Sequence, residues 1–174
     1  GIGMTPQEDL VFSDETSAVA SHRYKPQFLT EKDVEKIQTP VVTFDREATA
    51  EQFDLMCQIY GDILPVQKVG IKGTWFSPWD RLIELWGIEK GMTDLMDRPE
   101  LVNAAMERYV DAWLAMLDQW EELNLLSCDN DNTRIGSGGY GYTAELPGKI
   151  FNPARVRACN TWGHATAQIF SEVS

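Results

Sequence analysis

The sequence predicts an α/β fold with covered, parallel strands, and the order of its segments is the main reason. An apolar segment at residues 65–72 leads into a Trp-rich loop, a long amphipathic helix and a second apolar segment at residues 125–129, "LLSCD". Strand, loop, helix and strand in this order form a βαβ unit, whose strands are parallel and whose crossover is right-handed. The Val and Ile bias of the first segment is typical of a strand covered on both faces.

The N-terminal part predicts short local elements. Residues 1–29 show no clear period, and we expect an irregular leader that packs against the rest of the chain. Thr30 and Asp33 have the spacing of a capping box and Pro40 marks a stop, which predicts one short helix. Residues 40–44, "PVVTF", predict a short strand.

A second helix is predicted from Thr49 to Gly61. Thr49 and Gln52 have the spacing of a capping box, and Gly61 stands where a helix C-terminus favours glycine. Its apolar stripe consists of Phe53, Met56 and either Ile59 or Tyr60. The strand at 65–72 follows and is closed by Gly73, with glycines that allow close approach of a neighbouring backbone.

The long helix is the clearest element of the sequence. Asp97 and Glu100 form a capping-box pattern, and Pro99 falls in the first turn, where its missing N–H costs nothing. The helix is predicted to end near Asn124. One face carries apolar side chains at steps of three and four, which predicts a packing face: Val102, Met106, Tyr109, Trp113, Leu117 and Trp120. Asn152 and Pro153 predict a short further helix.

Composition excludes several classes of partner. The chain has 15 basic and 27 acidic residues and a net charge of −12, with no basic stripe, so we expect neither nucleic acid nor an anionic membrane as a partner. No apolar run approaches the roughly 20 residues that span a bilayer. The three cysteines, Cys57, Cys128 and Cys159, form no Cys-x-x-Cys pair. An odd count without a disulfide framework favours the reducing cytoplasm.

Two loops are candidate ligand sites because each follows a predicted parallel strand, whose carboxyl end is where such sheets bind ligands. After "LLSCD" come Asp129, Asn130, Asp131 and Asn132. Asp129 and Asp131 are candidate catalytic residues that could hold a cationic nitrogen or transfer a proton. The same residue types also close a strand through Asx-turns, and the sequence leaves both readings open. The pattern lacks the ligand spacing of a calcium loop.

The next stretch is rich in glycine and tyrosine. It lacks the Lys-Ser/Thr of a phosphate loop and the helix of a dinucleotide site. What remains is either a structural loop or a pocket cover that presents Arg134, Tyr140 and Tyr142 to an aromatic or carboxylate-bearing ligand. In the other loop, Trp75 and Trp79 are candidates for an apolar pocket wall, although core packing is the alternative for at least one of them.

The segment from "GIKGTWFSPWDRLIELWGIEKGMTDLMDRPELV" through "NAAMERYVDAWLAMLDQWEELNLLSCDND", with the final "AQIFSEVS", resembles the uroporphyrinogen-decarboxylase-like superfamily. The similarity covers about residues 63–174 and is a succession of elements, of which the helix that begins "MDRPELV" is the most specific. The resemblance implies a (β/α)₈ TIM barrel. Since a full barrel needs about 200 to 250 residues, this chain would be a fragment of one, with residues 1–62 as a leader carrying short helices.

For function, the resemblance implies a methyltransferase-type enzyme, which would act on a small methylated substrate or on a corrinoid carrier protein. The alternative that it implies is a decarboxylase of tetrapyrroles. The arginine-rich substrate motif of the decarboxylases has no match here. Zinc is the cofactor implied for the methyltransferase branch, with ligands outside this chain. Asp129 and Asp131 match the strand-end position of the family's active-site polar groups. Six further residues are expected to contact the substrate: Trp75, Trp79, Asn130, Arg134, Tyr140 and Tyr142. A non-catalytic interaction domain is the alternative, and unpaired sheet edges predict a possible homodimer.

Overall fold

The computed structural model describes residues 1–12, 20–128, 133–135, 139–141 and 146–165. Their helices are α1 (Glu31–Val34), α2 (Arg46–Tyr60), α3 (Pro78–Trp86), α4 (Ile88–Asp97) and α5 (Pro99–Glu122), with one 3₁₀ turn at Ala158–Asn160. The strands are β1 (Glu8–Phe12), β2 (Ala20–Tyr24), β3 (Gly73–Phe76), β4 (Thr133–Ile135), β5 (Gly139–Gly141) and β6 (Trp162–Ala165).

The prediction of a (β/α)₈ barrel fragment is wrong for the residues that the structure describes. Their strands form three separate two-stranded sheets, β1–β2, β3–β6 and β4–β5, and the sheets β1–β2 and β4–β5 are antiparallel. The expected parallel pairing survives as one bridge between Ile71 and Leu126. A single bridge cannot close a barrel, since closure requires continuous pairing between successive strands.

The bridge between Ile71 and Leu126 explains why residue 70 is glycine. The Ile71 N–H donates to the Leu125 carbonyl oxygen at 2.8 Å, and the Ser127 N–H donates to the Ile71 oxygen at 2.8 Å. A Cβ on Gly70 would lie 2.3 Å from the Leu125 oxygen. Glycine is therefore required for this close backbone approach, as the sequence predicts for the segment.

The chain divides into two compact units. Unit 1 contains residues 1–40, 76–116 and 165–174, and unit 2 contains residues 41–75 and 117–164. The hydrophobic core of unit 1 is built around the fully buried Phe28 and Trp86, whose ring centroids are 4.7 Å apart. Leu82, Leu85, Leu101 and Ala105 from α3 and α5 complete its centre. In unit 2, Leu126 and Val156 are the buried apolar residues of the described part.

Helix α1 confirms its sequence signal, and α2 begins earlier than predicted. Helix α5 confirms Pro99 in its first turn but not the predicted Asp97–Glu100 capping box, because Asp97 is the last residue of α4. Thr30 and Asp33 form the expected capping box of α1. Pro99 is the first residue of α5, which runs for 24 residues. In α2 the N-cap is Asp45, whose carboxylate accepts from the Ala48 N–H at 2.9 Å. Thr49, the predicted start, lies inside the helix and donates its hydroxyl to the Asp45 carbonyl at 2.6 Å.

Other predicted elements are wrong. Residues 40–44 form no strand, and the segment at 65–72 is a strand only at the Ile71 bridge. The expected irregular leader contains the β1–β2 hairpin instead. After Asn152 the structure has only a turn, in which the Asn152 side chain accepts from the Ala154 N–H at 2.9 Å.

Candidate functional site

The predicted catalytic residues lie outside the described residues. Asp129 and Asp131 belong to the segment 129–132, for which no structure is described, together with the predicted substrate contact Asn130. Tyr142 likewise lies outside. The described backbone reaches Cys128, one residue before Asp129, and the parallel bridge at Leu126 fixes the direction in which the chain arrives there.

Two of the predicted substrate-contact residues lie opposite each other on the two strands of one hairpin. Arg134 is the middle residue of β4 and Tyr140 is the middle residue of β5. The register of this antiparallel pair places Arg134 directly opposite Tyr140. The stretch that the sequence assigns to a loop therefore contains a short β-hairpin.

The two tryptophans of the Trp-rich loop belong to different units. Trp75 is in β3 within unit 2 and is 42% exposed. Trp79 is in α3 within unit 1, where it packs against the hydrophobic core. Trp79 thus has the core role that the sequence offered as the alternative for one of the pair.

An aromatic cluster in unit 1 was not selected as a site from the sequence. Phe76, the last residue of β3, stacks on Tyr109 with ring centroids 5.9 Å apart and planes 11° apart. Its ring also lies 5.0 Å from that of Trp113. Tyr109 and Trp113 are one turn apart on α5, so the helix presents both rings on the same side. All three side chains are half-buried.

The aromatic cluster has a charged neighbour pair on α3. Arg81 donates to the Glu84 carboxylate at 2.5 Å, and each side chain is about a third exposed. Burial raises the pKa of the Tyr109 phenol; Arg81 acts in the opposite direction and Glu84 in the same direction. Tyr109 is therefore a neutral hydroxyl at physiological pH, able to donate a hydrogen bond beside two aromatic faces. Such a surface can bind an apolar or planar group that also carries an acceptor atom.

The missed residues do carry a signal in the sequence. Tyr109 and Trp113 were assigned to the packing stripe of α5, and Val102 of that stripe is buried in the core as expected. The difference is exposure: the stripe passes from buried at Val102 to half-buried at Trp113. Phe76 lies in the same loop as Trp75, but its pairing with α5 is non-local and has no local signature.

The cysteine next to the predicted strand end has a structural role. The Cys128 thiol donates to the Asn160 carbonyl oxygen at 3.0 Å, which ties the chain before Asp129 to the 3₁₀ turn. Nearby, Glu121 accepts from the Ala158 N–H at 2.7 Å and pairs with Arg157 at 3.2 Å. These contacts hold the turn against the end of α5.

The described side chains include His, Cys, Asp and Glu, the residue types that hold zinc. Within these ranges, no group of three or more His, Cys, Asp or Glu residues is placed to hold a metal ion. The zinc that the resemblance implies therefore has no ligand set among the described residues, and we assign it no role here. Similarly, no helix of the described part is long and apolar enough to cross a membrane.

Comparisons with known proteins give no relative for this chain. No protein-family model, no curated protein and no solved structure matches it significantly.

Proposed function

We propose that this chain is part of a cytoplasmic uroporphyrinogen-decarboxylase-like enzyme of the methyltransferase type, acting on a small methylated substrate. The observation that carries the proposal is the succession around α5. The "DRPELV" stretch begins this helix with Pro99 as its first residue, the helix runs 24 residues, and Leu126 beyond it bridges Ile71 in parallel. This local succession supports the proposal.

The strand-end residues stay proposed as the reacting groups. Asp129 and Asp131 would orient the substrate and move the proton that its heteroatom gains when the methyl group leaves. Arg134, Tyr140 and Tyr142 would line or cover the substrate, and Trp75 and Asn130 stay proposed contacts. In the methyl transfer, the carbon–heteroatom bond breaks with its electron pair on the heteroatom, and the methyl group goes to the reduced corrinoid of a carrier protein.

The test uses the intact protein with methoxylated and S-methylated compounds and reduced cobalamin, and follows methylcobalamin by absorbance. Asp129→Asn with Asp131→Asn should lower kcat/KM by about 10²–10⁴-fold, the usual contribution of general acid–base groups. The matched control is Asp118→Asn, an exposed carboxylate on α5, which should leave the rate unchanged. Methyl transfer that is unaffected by the double substitution would refute the site assignment. Decarboxylation of a tetrapyrrole, or carrier binding without any transfer, would refute the proposed reaction.

A further inference from the structure

Helix α2 exposes most of its large apolar side chains. None of its 15 residues is buried. Leu55 and Ile59 are 46% and 48% exposed, and Ile63 and Leu64, just after the helix, are 70% and 58% exposed. Leu55 and Ile59 are one turn apart and so share one face of the helix. A contiguous exposed apolar patch of this kind is typical of an interaction site.

A groove continues this face around the helix. It has a volume of about 460 Å³, and Phe53, Met56 and Val66 form its apolar part. Gln52 and Lys68 line its polar edge, and the Lys68 ammonium lies 4.6 Å from the centroid of the Phe53 ring. Because Met56 follows Leu55 by 100° around the helix, the groove and the exposed face adjoin. Together they are the α2 surface: Phe53, Leu55, Met56, Ile59 and Val66.

A row of carboxylates borders the α2 surface. Glu47, Glu51 and Asp54 follow each other at steps of four and three, which places them along one side of the helix. All three are exposed, and Glu51 is one turn before Leu55. Among the described residues, none of the three forms an ion pair with a basic side chain. The row is therefore available to a cationic partner.

We infer that the α2 surface binds a basic amphipathic helix of a partner protein. An amphipathic helix places apolar residues at steps of three and four into a groove of this kind, and its flanking Lys or Arg residues would face the carboxylate row. A second copy of the chain is a poor occupant, because two such rows would meet and the chain already carries a net charge of −12. The inference is independent of the proposed methyl transfer.

The first experiment measures binding of a labelled synthetic peptide built from leucine and lysine in an amphipathic helical order. Fluorescence anisotropy is recorded with the intact chain, and a peptide of the same composition in scrambled order is the control. The amphipathic peptide should bind at least about tenfold more tightly, since only it can insert leucines into the groove while its lysines face the carboxylates. Equal affinity of the two peptides would show attraction by net charge alone and would overturn the inference.

Matched variants then locate the apolar contact. Leu55→Asp with Ile59→Asp should weaken peptide binding by about tenfold or more. Leu114→Asp with Ile150→Asp adds the same charge at residues that are 52% and 97% exposed, and should bind within about twofold of the parent protein. Equal loss in both pairs would overturn the inference. Sedimentation that shows a dimer of the parent chain, abolished by the Leu55 and Ile59 pair, would identify a second copy as the occupant instead.

A charge series tests the row without altering the apolar face. Glu47→Gln, Glu51→Gln and Asp54→Asn together should weaken binding and reduce its dependence on salt concentration. Glu107→Gln, Asp111→Asn and Asp118→Asn remove the same charge from exposed positions on α5. The inference fails if the two triple variants lose affinity equally.

Discussion

At the residue scale, Asp94 is the most constrained polar group of the described part. It is fully buried in unit 1 and accepts from the Trp86 indole at 2.7 Å and from Lys90 at 2.8 Å. Arg98 donates to both of its carboxylate oxygens. The Arg98 guanidinium holds the pKa of Asp94 well below its usual range, against the opposing effect of burial. The carboxylate is thus ionised in the core and connects α3, α4 and the start of α5.

Replacing this carboxylate should destabilise unit 1. Asp94→Asn retains the size of the side chain but removes its charge, leaving Arg98 with a weaker acceptor. We expect the free energy of unfolding to fall by roughly 2–3 kcal/mol, less than for a fully buried pair because Arg98 and Lys90 remain partly in water. Urea denaturation measures the change. Asp97→Asn, an exposed neighbour on the same helix, is the control and should change stability by less than about 0.5 kcal/mol.

The same variant should alter the response to acid. The folded pKa of Asp94 is lower than its unfolded value of about 3.9, so its stabilising effect is fully present above that pH and is lost as the pH falls below it. The pKa of Asp33 is lowered in the same sense, by Lys36 first and then by the Thr30 N–H. The parent protein should lose stability steeply below about pH 4, and Asp94→Asn less steeply. Parallel pH profiles would contradict this role for Asp94.

At the scale of elements, local signals were predicted better than pairings between distant segments. The Thr30–Asp33 box and Pro99 identified their helices because capping involves residues within one turn. Asp45 and Thr49 are both good N-cap residues one turn apart; the predicted start is the later one, whereas α2 begins after Asp45. The β1–β2 hairpin was missed because all five residues of β1 are exposed, which removes the alternation that indicates a half-buried strand.

The junction between α3 and α4 depends on one glycine. Gly87 has φ 76° and ψ 140°, a conformation that side chains with a Cβ rarely adopt. A Cβ there would also lie 3.0 Å from the Tyr24 carbonyl oxygen. Gly87→Ala should therefore lower the free energy of unfolding by about 1–3 kcal/mol. Gly148→Ala is the control, because the added Cβ meets nothing within 4 Å, and its thermal unfolding temperature should be unchanged. Equal shifts of the unfolding temperature in both variants would rule out backbone strain at Gly87.

At the scale of the whole molecule, the described buried side chains are concentrated in unit 1. The single core cluster draws all its buried members from that unit, whereas α2 in unit 2 has none. The arrangement of the described strands in three separate sheets could not be deduced from local patterns, because each strand's neighbour is set by contacts across the chain. The aromatic cluster was missed for a similar reason: Phe76 meets Tyr109 only after both elements have packed.

Hydrogen exchange should reveal this uneven distribution. Amides of α3 and of α5 between Leu101 and Ala112 lie beside the core and should exchange slowest, since their exposure requires opening of the buried cluster. Amides of α2 and of β1 should exchange first, because no buried side chain holds them. Exchange followed by mass spectrometry on peptic peptides measures both sets. Comparable protection of α2 and α5 would contradict the prediction.

Through Arg98, the "DRPELV" stretch has a structural role that is separate from catalysis. Besides its bonds to Asp94, its guanidinium donates to the Leu29 carbonyl at 2.8 Å, so this one residue ties the segment before α1 to the α4–α5 corner. Such a corner contributes to the stability of the fold whichever reaction the protein catalyses. Proteins could therefore retain this stretch while their reactions diverge. A sequence search that begins from "DRPELV" would therefore find proteins that share this structural corner. Their reactions would have to be distinguished by the residues that follow "LLSCD".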